Sequence, residues 1–208
     1  MLEHIRVIDL CDGISQFAGH ILTRLGAEVI AVEPERGVST RLTGPYVADD
    51  PDPNFSLTHW AYNRGKKSVV LDIESAEGRT RFRDLVQSAD ILFEDQRPGY
   101  LHSLDLAYED IKEINPQIIH ASITPYGLTG PRSHWSGTDL TAVAGSSFMH
   151  ASGDADRAPL RVGVPHSFLH AAADAAAASL IALQERYRSG TGQHIDVSAQ
   201  ESLTIGFP

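Results

Sequence analysis

The sequence has only one cysteine, Cys11, so it cannot form an internal disulfide bond. It also has no unbroken apolar run of the ~20 residues that a membrane-spanning helix needs. Its alanine-rich stretch, 171–183, is interrupted by Asp174 and Ser179. The first residues, MLEHIRVIDL, lack the basic region and the cleavage site of a signal peptide. These absences predict a cytoplasmic protein with no membrane partner.

Basic charge is also scarce. The 208 residues include 17 lysines and arginines against 27 acidic residues, which gives a net charge of −10. A nucleic-acid partner is not expected, because phosphate backbones are bound by a clustered excess of cations. The hydrophobic share of 42% is ordinary for a globular protein. The length suffices for one hydrophobic core, so we expect a single domain over residues 1–208.

Several motifs of nucleotide-binding proteins and hydrolases are missing. The first strand-to-helix turn, CDGIS at 11–15, has one glycine where a dinucleotide fingerprint has three, which disfavours NAD. There is no GxxxxGK[ST] phosphate loop and no GxSxG nucleophile elbow. His166 and His170 have the spacing of metal ligands on one helix face, but the sequence places no third ligand. We therefore predict a helix-face histidine pair and no bound metal.

Strand-like and helix-like segments alternate along the chain. Short apolar runs rich in β-branched residues predict strands at 5–10, 28–32, 68–71, 91–93, 118–123 and 194–197. Helical spacing of apolar residues predicts helices between them, including 76–87, 108–114, 140–149 and about 167–188. Such alternation is typical of a mostly parallel sheet covered by helices on both faces. The expected fold is a Rossmann-like α/β domain that binds ligands at the carboxyl ends of its strands.

The segment NRGKKS at 63–68 concentrates positive charge immediately before a predicted strand. Its cations suit phosphate groups by charge and by arginine geometry. Taken alone, the segment is an ordinary solvated loop. The segments EDQRPG at 94–99 and SITPYGLTGP at 122–131 are likewise turns by composition alone.

Eight segments, in their order along the chain, resemble the class III CoA-transferase family, also called CaiB/BaiF. They are VIDL, LGAEVIAVEP, NRGKKSVVLDI, ADILFEDQRPG, INPQIIHASITPYGLTGP, GTDL, LRVGVP and SGTGQHIDVS. The resemblance spans residues 5 to about 203. Members of that family transfer coenzyme A between carboxylic acids or racemise α-methyl acyl-CoA thioesters, and they form dimers with interlocked chains.

This resemblance implies the Rossmann-like large domain of the family, with coenzyme A or acyl-CoA as a substrate and a carboxylate as acceptor. No permanently bound cofactor is expected. The nucleotide end of coenzyme A is expected near two segments, whose candidate contacts are Arg64, Lys66, Lys67, Asp95, Gln96 and Arg97.

Two positions depart from the family pattern. Where family transferases carry a nucleophilic aspartate, this chain has Phe168, which has no nucleophilic or basic atom. Where racemases have a histidine before an aspartate, the chain has Thr138 before Asp139. Asp139 is a candidate catalytic residue that also suits a helix cap. The other candidates for proton transfer are His166, His170 and Asp174.

Chains of that family are longer than this one and carry a second, smaller domain. We expect either a truncated product or one subunit of a split enzyme, in a homodimer or in a heteromer with a chain that supplies the remainder. The main hypothesis is an acyl-CoA transferase. The alternative, motivated by Phe168 and Thr138, is a catalytically inactive CoA-binding or assembly subunit. A third hypothesis is an acyl-CoA racemase or lyase that uses His166 or His170.

Overall fold

The computed structural model describes residues 1–205. Its six strands are β1 Arg6–Asp9, β2 Glu28–Glu33, β3 Lys67–Val70, β4 Ile91–Glu94, β5 Ile119–Thr124 and β6 Gln193–Ser198. All neighbouring strands are parallel, in the order β3-β2-β1-β4-β5-β6. The order reverses between β1 and β4, which is where open α/β sheets bind ligands beyond the strand ends. The predicted Rossmann-like fold is confirmed.

Residues 1–205 form seven α-helices, of which the last follows β6: α1 Phe17–Arg24, α2 Leu57–Asn63, α3 Ala76–Gln87, α4 Tyr108–Ile114, α5 Asp139–Gly145, α6 His166–Ser189 and α7 Ala199–Ile205. The helix predicted for 140–149 is shorter than expected. Ser147 has a left-handed backbone with φ of 69°, which a continuing α-helix cannot contain. Helix α2 was not predicted.

Helices cover both faces of the sheet, as expected from the alternating pattern. On one face, side chains such as Val7, Phe93 and Ile119 pack under α1 and α6. On the other face, Ile8 and Leu92 pack under α3 and α4. Successive strand residues point to opposite faces, so a sheet buried on both sides needs nearly continuous apolar strands.

Helix α6 is the one described helix whose length and composition would allow it to cross a membrane. The sequence did not predict such a helix, because its apolar runs are interrupted by polar residues. In the structure it is a core helix. Ala171, Ala172, Ala175 and Ala176 are buried in the cluster that also contains strand residues of β5 and β6. Packing against the sheet therefore accounts for its apolar composition.

Candidate functional site

A cavity of about 710 Å³ opens at the carboxyl ends of β1, β4 and β5. It is lined by the turn at 12–15, the loop at 95–98, the loop at 134–137, and by Ile123, Pro125 and Phe168. We call it the large cavity. It lies at the reversal of strand order, where this fold class places its ligands.

A second cavity, of about 230 Å³, lies at the ends of β1, β2 and β3, and we call it the small cavity. It shares Asp12 and Gln96 with the large cavity, so the two adjoin. The aliphatic and proline residues of its lining are Leu10, Val32, Pro34, Val38, Leu71 and Ile73, and its acids are Asp12, Asp72 and Glu74. Arg36 is the one arginine or lysine in its lining, and its Nη2 lies 3.9 Å from Oδ2 of Asp12. Together the two cavities form what we call the carboxyl-edge groove.

Asp95 and Gln96 follow β4 and line the large cavity, and Gln96 also lines the small cavity. The Asp95 carboxylate accepts the backbone N–H of Asp12 at 2.8 Å and that of Gly13 at 3.1 Å, which fixes the turn after β1. Burial raises the pKa of Asp95 to about 6, against the effect of these two hydrogen bonds. Gln96 donates from Nε2 to the carbonyl oxygen of Leu10. The three predicted contacts from this loop, Asp95, Gln96 and Arg97, all line the large cavity.

Lys66 is placed differently from its predicted role at a phosphate. Its Nζ lies 2.6 Å from Oδ2 of Asp9, and the two side chains are 2% and 0% exposed. The same ammonium donates to the Gln16 carbonyl at 2.6 Å and to Oδ1 of Asn63 at 2.8 Å. Since an ammonium has three protons, these three acceptors satisfy it completely. In this structure Lys66 links β1, α1 and α2 inside the fold.

The other two cations of this segment also lie away from the groove. Lys67 is the first residue of β3, and its Nζ pairs with Glu28 at 2.6 Å beside the start of β2. Arg64 lines a separate cavity with Trp60 and Leu57. None of Arg64, Lys66 and Lys67 lines either cavity of the carboxyl-edge groove. The structure therefore brings together Asp95, Gln96 and Arg97 but not the basic segment.

Asp139 serves as a structural link between α5 and α6. Its Oδ1 accepts both the backbone N–H and the hydroxyl of Ser167 at 2.9 Å, and Arg161 lies 3.3 Å from Oδ2. The side chain that caps α5 is Thr138, which accepts the N–H of Thr141. The predicted choice of Asp139 as the cap is therefore wrong by one residue.

His166 and His170 form an edge-to-face pair with ring centroids 4.5 Å apart. Burial, together with the neighbouring His170, lowers the pKa of His166, which favours its neutral form. Neither histidine lines the carboxyl-edge groove. Within residues 1–205, no group of three His, Cys, Asp or Glu residues is arranged to hold a metal ion.

Phe168, by contrast, does line the large cavity and packs against the core below α1 and α6. The position at which the resemblance implies a nucleophile thus faces the groove, but it presents a phenyl ring.

Arg36 was not predicted as a site residue from the sequence. It lies three residues beyond β2, so the rule that ligands meet the carboxyl ends of strands would have identified it.

The fold and groove define an α/β protein with two adjoining cavities along the carboxyl edge of a parallel sheet. The family model of CoA-transferase family III matches residues 2–205. The chain belongs to this family.

Individual relatives agree with this assignment. The chain is 38% identical over 201 residues to succinyl-CoA:(R)-benzylsuccinate CoA-transferase subunit BbsE of Thauera aromatica, covering 96% of this chain and 49% of the relative. It is 40% identical to succinyl-CoA:glutarate CoA-transferase of Mus musculus, over 97% of this chain and 46% of the relative. A crystal structure of a CaiB/BaiF family protein from Brucella suis superposes with a TM-score of 0.91 at 34% identity, over 97% of this chain and 54% of that one. The chain thus spans about half the length of these relatives.

Proposed function

We propose that this chain binds an acyl-CoA thioester in the carboxyl-edge groove and takes part in the transfer of coenzyme A between carboxylic acids. The observation that carries the proposal is the joining of two unlike cavities through Asp12 and Gln96. The apolar walls of the small cavity suit the adenine ring, and Arg36 at its edge suits a phosphate group. The large cavity, whose lining includes Arg97, then receives the pantetheine arm and the acyl group.

The transfer chemistry requires a carboxylate that attacks the thioester carbonyl. Position 168 carries phenylalanine, so we propose that a second chain supplies the carboxylate and the remainder of the enzyme. The Thauera relative is named as a subunit of a CoA-transferase, which supports an assembly of this kind. The family resemblance further leads us to propose an interlocked dimer, and the lone buried Cys11 fits a reducing cytoplasm.

A second candidate function is a catalytically inactive CoA-binding subunit. Phe168 in the cavity favours it, because no side chain at this position can act as nucleophile or base. The racemase hypothesis has less support, since His166 and His170 lie outside the groove.

Calorimetric titration of the purified chain with coenzyme A tests the binding site. We expect Arg36→Ala to weaken binding about tenfold, the effect of one lost charge-assisted hydrogen bond. Arg81→Ala is the matched control, because this exposed arginine pairs with Glu77 on α3, outside both cavity linings. Absence of coenzyme A binding by the unaltered chain, or equal losses in both variants, would refute the proposed site.

A transfer assay with an acyl-CoA and a free carboxylate separates the two candidate functions. It is run with this chain alone and with a second chain that supplies the family nucleophile. Transfer that requires both chains, with a hydroxylamine-sensitive adduct on the second, supports the split transferase. Binding without transfer in either mixture supports the inactive subunit.

A further inference from the structure

The large cavity has a mixed lining, and Asp12 and Gln96 lie where it adjoins the small cavity. Its other charged and polar side chains are Ser15, Ser39, Asp95, Arg97, His134 and Ser136. Its apolar side chains are Ile14, Pro98, Ile123, Pro125, Trp135 and Phe168. A lining of this kind can bind a ligand that has both polar and apolar parts.

The loop at 134–137 lies against Pro125 through a close backbone approach. A Cβ atom added to Gly137 would lie 2.3 Å from the Cβ of Pro125 and 3.0 Å from the ring of Tyr126. Only glycine therefore allows this approach without a shift. It places Trp135, which is 53% exposed, on the lining of the cavity. The Trp135 indole also lies edge-to-face with Tyr126, at 6.3 Å between ring centroids.

The charges in the lining oppose a second carboxylate on the ligand. Arg97 is the one lysine or arginine among the residues that line this cavity, whereas Asp12 and Asp95 are two acids. A dicarboxylic acyl group would therefore bring a further negative charge into a lining with two acids and one cation, where Ser15, Ser39, His134 and Ser136 offer only uncharged or weakly basic partners. An uncharged ring would instead gain apolar contact with Phe168 and Trp135.

We propose that the large cavity selects CoA thioesters whose acyl group is uncharged and aromatic, with Phe168 and Trp135 as the residues that determine this specificity. The inference rests on the proposed binding of acyl-CoA in the groove and adds the class of acyl group. Phe168 then has a positive role: it replaces a reactive carboxylate with a surface against which an aromatic ring packs.

The test compares dissociation constants of phenylacetyl-CoA, acetyl-CoA, succinyl-CoA and free coenzyme A for one preparation of the chain. We expect phenylacetyl-CoA to bind at least about tenfold more tightly than succinyl-CoA and than free coenzyme A, because aromatic contacts of this size account for such a factor. Phe168→Asn, which removes the ring and supplies no nucleophile, should abolish that preference. Phe168→Leu, which keeps an apolar side chain, should retain most of the preference for phenylacetyl-CoA.

Trp135→Ala provides an independent variant, because the exposed indole contributes little to folding. It should lower the preference for phenylacetyl-CoA about threefold to tenfold. Binding of all four ligands with equal affinity would overturn the inference and leave the proposed function intact. Preference for succinyl-CoA would also overturn it. Failure of every ligand, free coenzyme A included, would instead refute the proposed function.

Discussion

Replacing Lys66 by alanine distinguishes the role predicted from the sequence from the one seen in the structure. In the structure its ammonium pairs at 2.6 Å with Asp9, and neither side chain is more than 2% exposed. Removing one partner of a buried ion pair leaves the other charge uncompensated, which costs about 3–5 kcal/mol. We therefore expect Lys66→Ala to lose about that much free energy of unfolding.

Lys67→Ala is the matched control, one residue away. Lys67 is 70% exposed, and Glu28, its partner, keeps a second ion pair with Arg6 at 2.7 Å. Exposed pairs of this kind contribute about 0–1 kcal/mol. This substitution should change neither stability nor coenzyme A affinity by much.

Urea unfolding followed by circular dichroism measures the difference between the two variants. With a denaturant slope of about 2 kcal/mol per molar urea, the midpoint of Lys66→Ala should fall by about 2 M and that of Lys67→Ala by under about 0.5 M. The double variant Asp9→Asn, Lys66→Met should recover part of the loss, because it removes both charges. If Lys66→Ala keeps its stability but loses coenzyme A affinity, Lys66 contacts a phosphate and the structural reasoning is refuted.

Three further predictions concern single sites. Burial raises the pKa of Glu94 from 4.5 to about 7, so the folded protein holds a proton that the unfolded chain releases. This burial should therefore lower the stability of the unaltered chain relative to Glu94→Gln by up to about 3 kcal/mol as the pH rises from about 4.5 to 7, which paired thermal melts of the two proteins measure. Thr138→Ala removes the cap of α5 and should cost about 1 kcal/mol, measured by the same melts; an unchanged melting temperature would contradict the capping role. Phe168→Asp restores a carboxylate to the cavity lining and should give a hydroxylamine-sensitive adduct by mass spectrometry after incubation with acetyl-CoA, whereas the unaltered chain should give none.

The alternation of strands and helices could be predicted because it follows from local periodicity, which each segment carries in its own residues. The strand order could not, since it depends on which distant segments pair. Helix α2 was missed because Leu57–Asn63 is short and mixes polar with aromatic residues, without an apolar stripe. Helix α5 was predicted too long because the left-handed conformation of Ser147 has no marker in a serine residue.

The same division between local and distant information applies to the candidate site. The loop at 95–98 follows a strand directly, so its place at the carboxyl edge follows from the local pattern. The burial of Lys66 depends on Asp9, which is 57 residues away, and charge density in the sequence cannot reveal such a partner. A cluster of cations on an acidic chain is therefore ambiguous until the partner of each cation is known.

Because Phe168 cannot act as a nucleophile, the reactivity of the groove depends on whether another acid in its lining can do so. The acids that line the large cavity are Asp12 and Asp95, and both are engaged in the fold. Asp95 accepts two backbone N–H groups, and Asp12 accepts the N–H of Ser39 at 2.6 Å. A carboxylate that holds a turn is poorly placed to leave its donors and form an anhydride, so neither acid substitutes for the missing nucleophile. Within the described residues, then, no acid that lines the large cavity replaces the nucleophile that is absent at position 168.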